Sequence, residues 1–84
     1  VPRLTVRYFA GARAAAGVPE EKVELPDPAT VRDVVAFVEH QHGDRLAKVL
    51  TACSFLLDGM AVRDLHAQVP EDAELDVLPP FAGG

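Results

Sequence analysis

Apolar and polar residues alternate along Arg3–Phe9 (RLTVRYF), with Leu4, Val6 and Tyr8 on one side and Thr5, Arg7 and Phe9 on the other. Period two with β-branched and aromatic residues predicts a half-buried strand. Glu21–Leu25 (EKVEL) alternates again about Val23 and Leu25 and predicts a second strand, antiparallel to the first. The alanine-rich, glycine-bounded stretch between them, Ala10–Gly17, reads as a turn with a short helical piece. The period then changes. Val31, Val34, Val35 and Val38 fall at i, i+3, i+4 and i+7, one apolar stripe of a helix. Thr30 is placed to cap it, Asp33 lies three residues on at the positive end of the dipole, and Gly43 is a natural stop.

Asp44–Thr51 predicts a further short helical turn. Ser54–Gly59 reads as a strand ending in the turn dipeptide Asp58-Gly59, and Met60–Val62 as its short return. A turn at Pro70–Asp72 precedes a last strand over Ala73–Pro80, where Leu75 and Val77 alternate against Asp76 and Leu78. The order β-β-α-β-β-β, with no repeat and no linker, is an α+β layout. It predicts a β-grasp, ubiquitin-like domain: a mixed sheet of about five strands with one main helix packed on one face. That fold sets the first and last strands side by side and parallel. The expected boundaries are a domain over 1–78 and an extended tail over 79–84.

Composition narrows the functions. Eighty-four residues make one domain. A formal net charge of −5 argues against nucleic acid, which selects basic patches. It suits a solvated acidic surface, or a partner with a basic groove. The single cysteine, Cys53, cannot form an internal disulfide or supply four-thiolate iron–sulfur ligation. No apolar run approaches the ~20 residues of a membrane span and no signal peptide is visible, so the expected location is cytoplasmic. Opening on Val1 rather than Met leaves room for missing leading residues or a larger fusion.

Catalytic and metal signatures are weak. His40 and His42 are two apart and do not share a helix face, so with His66 they read as solvated histidines rather than ligands. Cys53 precedes a strand and reads as a packing residue, and Met60 as filler or surface. No phosphate loop, dinucleotide fingerprint or nucleophile–base pair is present. The expectation is a protein that is not an enzyme on its own and that binds no metal or cofactor.

The tail LPPFAGG (Leu78–Gly84) is the informative segment. A frayed terminus or a cloning scar is the plain explanation of two final glycines. However, Pro79-Pro80 favours an extended path, and Pro79–Gly84 could span roughly 20 Å. A projecting arm with no bulk at its tip suits a carboxylate that must enter a deep, narrow site, because a partner's backbone can close around glycine. With the first and last strands parallel neighbours, Phe9 and Leu78 share one end of the sheet on the face away from the core, and they read either as scattered exposed apolar residues or, in the favoured reading, as part of a docking patch beside the arm.

The layout and ending together resemble the MoaD/ThiS group of β-grasp sulfur carriers, and within it most the small subunits of molybdopterin synthase. The resemblance rests on Val6–Gly17 (VRYFAGARAAAG), Thr30–Val38 (TVRDVVAFV), Leu56–Gly59 (LLDG) and Asp76–Gly84 (DVLPPFAGG), and spans nearly the whole chain. It implies that an E1-like adenylyltransferase (MoeB/ThiF-like) activates the Gly84 carboxylate with ATP and magnesium, and that a persulfide donor converts it to a thiocarboxylate. The charged tail would then enter a MoaE-like large subunit and give sulfur to cyclic pyranopterin monophosphate, in a heterotetramer of two large and two small subunits. Gly84 is then the sulfur-bearing residue, Gly83 supplies clearance, and Pro79, Pro80, Phe81 and Ala82 form the arm. Phe9, Ala61 and Leu78 carry over as docking residues. Two departures bear on partner fit: PEDAEL (Pro70–Leu75) stands where many relatives have a Gly-Asp turn, and Phe81 is larger than the usual residue. Three alternatives stay open: a carrier for cysteine or thiamin synthesis or tRNA thiolation, a ubiquitin-like modifier joined through Gly84 to a lysine, and an inert interaction module.

Overall fold

The computed structural model describes residues 3–80. The elements run β1 (Arg3–Tyr8), α1 (Ala10–Ala16), β2 (Glu20–Glu24), α2 (Val31–His42), α3 (Asp44–Leu50), β3 (Ser54–Leu57), β4 (Met60–Ala61) and β5 (Glu74–Leu78). The strands form one sheet in the order β2-β1-β5-β3-β4. β1 and β5 are parallel, with Val6 opposite Leu75 and Tyr8 opposite Val77. The other pairs are antiparallel. A hairpin whose first strand lies beside the last strand, with helices on one face, is the β-grasp arrangement.

Each apolar stripe is spent on one core. Leu4, Val6, Tyr8, Val23, Phe55, Leu75 and Val77 from the sheet meet Val31, Val34 and Val38 of α2 and Leu46 and Leu50 of α3. Burying each such side chain contributes about 1.5–3 kcal/mol relative to exposure. α2, twelve residues long, is the one main helix, and the short helical pieces expected on either side of it are two helices of seven residues each, α1 and α3. Both lie on the side of α2, for Ala12 of α1 is fully buried in the same cluster as Leu46 and Leu50. α1 has no side-chain cap and no wide apolar stripe, so its helicity comes from tertiary packing more than from local signals.

α2 forms where its sequence signals place it. Thr30 and Asp33 make a reciprocal capping box: the Asp33 amide donates to Thr30 Oγ1 (3.2 Å), and the Thr30 amide to Asp33 Oδ2 (2.9 Å). The two remaining free amides of the first turn are met by the chain between β4 and β5. Val31 N–H donates to the Ala67 carbonyl (3.0 Å) and Arg32 N–H to that of Leu65 (2.9 Å). The β3–β4 turn has positive φ at both Asp58 (49°) and Gly59 (84°), the twist a tight hairpin requires. Asp58 Oδ1 also accepts from the Glu74 amide (2.8 Å), tying this turn to the start of β5. No described helix is long and apolar enough to cross a membrane.

Candidate functional site

Two strands in the middle of the sheet deliver the candidate residues to one end. β5 stops at Leu78, followed by half-buried Pro79 and exposed Pro80. On the neighbouring strand the Phe9 amide donates to the Val77 carbonyl (3.2 Å), which carries the parallel pairing one residue past β1. Phe9 keeps extended backbone (φ −122°, ψ 149°), and Ala10 then bends the chain away with φ 48°. Phe9 and Leu78 therefore stand at adjacent positions where the tail leaves the sheet. Phe9 is 37% exposed and Leu78 half-buried. Pro79 and Pro80 follow directly. Phe81, Ala82, Gly83 and Gly84 lie outside the described residues.

Ala61 lies on the same face but in the next row. That row runs Ala61, Leu56, Asp76, Arg7 and Glu20 across β4, β3, β5, β1 and β2. Four of these, Leu56, Asp76, Arg7 and Glu20, were not singled out by sequence. Leu56 separates Ala61 from β5 and is half-buried. Asp76, although it alternates outward as expected, is 8% exposed. Its carboxylate accepts Arg7 Nε on Oδ1 (2.8 Å) and a terminal Arg7 nitrogen on Oδ2 (3.0 Å). This fork raises the guanidinium pKa further, the hydrogen bond to Asp76 being the larger cause and its charge the next. The Arg7 guanidinium carbon lies 5.6 Å from the Phe9 ring centroid, within cation–π range. The signal for the pair was present: Arg7 shares its strand face with Phe9, and Asp76 shares its own with Leu78. Only the register joins them.

A second polar cluster lies behind the sheet. Glu21 Oε2 accepts from the Tyr8 hydroxyl and contacts His42 Nε2, both at 2.5 Å. The Tyr8 and His42 rings meet edge to face at 5.9 Å. His42 is thus a structural partner of the β1–β2 hairpin, a correction to its reading as a solvated residue. Burial, then the Glu21 hydrogen bond and charge, push the Tyr8 phenol well above its ordinary range. Cys53 packs as expected. Its thiol donates to the Val49 carbonyl (3.2 Å), and burial raises its pKa, which disfavours the reactive thiolate. Met60 is a surface residue, 74% exposed.

Comparison with known proteins gives this geometry a relationship. Residues 6–84 match the model of the ThiS family, from the second half of β1 to the final glycine. The chain belongs to the ThiS family. It is 35% identical over 83 residues to a molybdopterin synthase sulfur carrier subunit of Chlamydomonas reinhardtii, covering 98% of this chain and 99% of that one. Among solved structures, a Pyrococcus furiosus protein assigned as subunit 1 of a molybdopterin converting factor superposes with a TM-score of 0.87 at 26% identity, covering 96% of this chain and all of that one. A complex of subunits 1 and 2 of the Helicobacter pylori molybdopterin-converting factor contains a chain of the same fold, with a TM-score of 0.73 at 18% identity over 98% of this chain and 99% of that one.

Proposed function

We propose that this ThiS-family chain is the sulfur-carrying small subunit of a molybdopterin synthase. The supporting observation is the end-to-end likeness to a molybdopterin synthase sulfur carrier subunit, together with a family match that runs through Gly84. Gly84 supplies the reacting carboxylate. One of its oxygens attacks the α-phosphorus of magnesium-bound ATP on an E1-like adenylyltransferase, and pyrophosphate leaves. The terminal sulfur of a persulfide donor then attacks the acyl carbon and AMP leaves. A thiol cleaves the resulting sulfur–sulfur bond, and Gly84 ends as a thiocarboxylate. Adenylation is needed because a carboxylate is a poor electrophile without a leaving group.

The charged tail then enters a MoaE-like large subunit and gives its sulfur to cyclic pyranopterin monophosphate. One dithiolene takes two sulfurs, which suits two small and two large subunits in a heterotetramer. Phe9, Leu78 and Ala61 seat the domain while Pro79, Pro80, Phe81 and Ala82 position the arm and Gly83 gives clearance. No metal or cofactor is required on this chain, no nucleic acid or membrane takes part, and the reaction is cytoplasmic. The test is reconstitution with the large subunit, the activating system and the pterin precursor. Dithiolene product that depends on Gly84 supports the reading. Product formed equally well by a chain lacking Gly84, or mass-shifted protein conjugates in its place, would reject it.

A further inference from the structure

Asp76 is the one charged residue that is buried among the described residues, and it lies on the sheet face that no helix covers. It is held between Arg7 of β1 and Leu56 of β3. The pair is no simple stabiliser: its Asp76 half is buried and its Arg7 half part-exposed, and an ion pair reaching solvent contributes little to folding while its buried charge costs desolvation. The use of the pair lies in what Arg7 still offers. A guanidinium has five N–H donors. Asp76 takes two of them, and among the described residues the others make no protein hydrogen bond. The Arg7 side chain is 38% exposed, and its orientation is fixed by the Asp76 fork and the Phe9 ring.

The charge around it selects the acceptor. Glu74 Oε1 lies 3.7 Å from the same guanidinium, beyond hydrogen-bond length but close enough to act electrostatically. Glu20 is opposite Arg7 on β2. One positive charge thus faces three carboxylates, so an incoming carboxylate would be repelled. A neutral oxygen could take the free N–H groups without that cost.

We propose that Arg7, clamped by Asp76, is a specificity-determining residue of the docking face. It donates hydrogen bonds to a neutral acceptor, a backbone carbonyl or amide oxygen, on the large subunit that receives the tail. This rests on the docking reading above. The large subunit is the occupant because the Arg7 row adjoins Phe9 and Leu78, where the tail leaves the sheet.

The test is calorimetric titration of the full chain against its large subunit, at low and high salt, with melting of each variant. The double variant R7L/D76L leaves no buried charge unpaired. It should melt within about two degrees of wild type or higher. It should bind about tenfold more weakly or worse, by a factor that salt leaves unchanged. Binding within about twofold of wild type would overturn the inference. A loss that fades at high salt would mean a charged acceptor and overturn it as well. Should the double variant fail to fold, Arg7→Lys keeps the charge but not the planar fork, and wild-type affinity there would be equally damaging. Phe9→Ala separates the two levels of the argument. If it weakens binding and R7L/D76L does not, this inference alone fails. If wild type shows no binding at all, the functional reading fails with it.

Discussion

The two faces of the sheet are built from the same strands and do opposite things. The covered face carries Leu4, Val6, Tyr8, Val23, Leu75 and Val77, all buried beneath the helices. The open face carries Thr5, Arg7, Asp76, Leu56 and Leu78, with Phe9 at its end, so apolar groups there share the surface with ion pairs such as Arg7–Asp76 and Arg3–Glu24. Strand alternation makes this possible, since each residue's neighbour belongs to the other face. Stability is concentrated on one side, which leaves the other free to be chosen for a partner. The tail leaves from the central strand β5, in line with both.

That division can be broken in graded ways. Leu75→Ala on the covered face should cost about 2–5 kcal/mol, read by urea unfolding. A loss below about 1 kcal/mol would mean the core is not centred on β5. On the open face, Phe9→Ala or Leu78→Ala should each weaken docking by about 1 kcal/mol or more in a titration, with the fold intact. Unchanged affinity would remove that residue from the patch.

Tyr8 gives a smaller, pH-dependent test of the covered side. Its folded pKa is raised, so above about pH 10 the unfolded chain loses the phenolic proton while the folded chain keeps it. The stability this contributes is complete below that pH and declines as pH rises beyond it. Tyr8 is the only tyrosine. Unfolding midpoints should therefore fall more steeply above pH 10 in wild type than in Tyr8→Phe, and parallel slopes would contradict the buried hydrogen bond to Glu21. The smallest effect belongs to the tail: deleting Gly84 should move the melting temperature by no more than about two degrees. A larger fall would mean that the glycine packs against the domain.

Where local chemistry decides an element, the sequence is a good guide. Thr30, Asp33 and Gly43 bound α2 at the residues that cap and end it. The alternation of Arg3–Tyr8 and Glu74–Leu78 sets strand faces because one face is buried. The parallel pairing of β1 with β5 joins opposite ends of the chain, and it came from likeness to a known fold. α1 was harder to read because Ala12 is helical for the sake of its burial against the core. His42 was misread because Glu21, its partner, is distant in sequence and approaches only when α2 crosses the hairpin. The proposed docking patch was half legible. Phe9 and Leu78 stand out as apolar residues on the open face and Ala61 came only from likeness to the family, whereas Arg7 with Asp76 looks like ordinary surface charge until register brings the two into contact.

The most direct measurement is the intact mass of the chain after incubation with an E1-like adenylyltransferase, ATP, magnesium and a persulfide donor. The predicted result is a gain equal to one oxygen replaced by one sulfur, located at Gly84 by fragmentation and absent without ATP. An unchanged mass, with an activating enzyme shown to be competent on another carrier, would contradict the account.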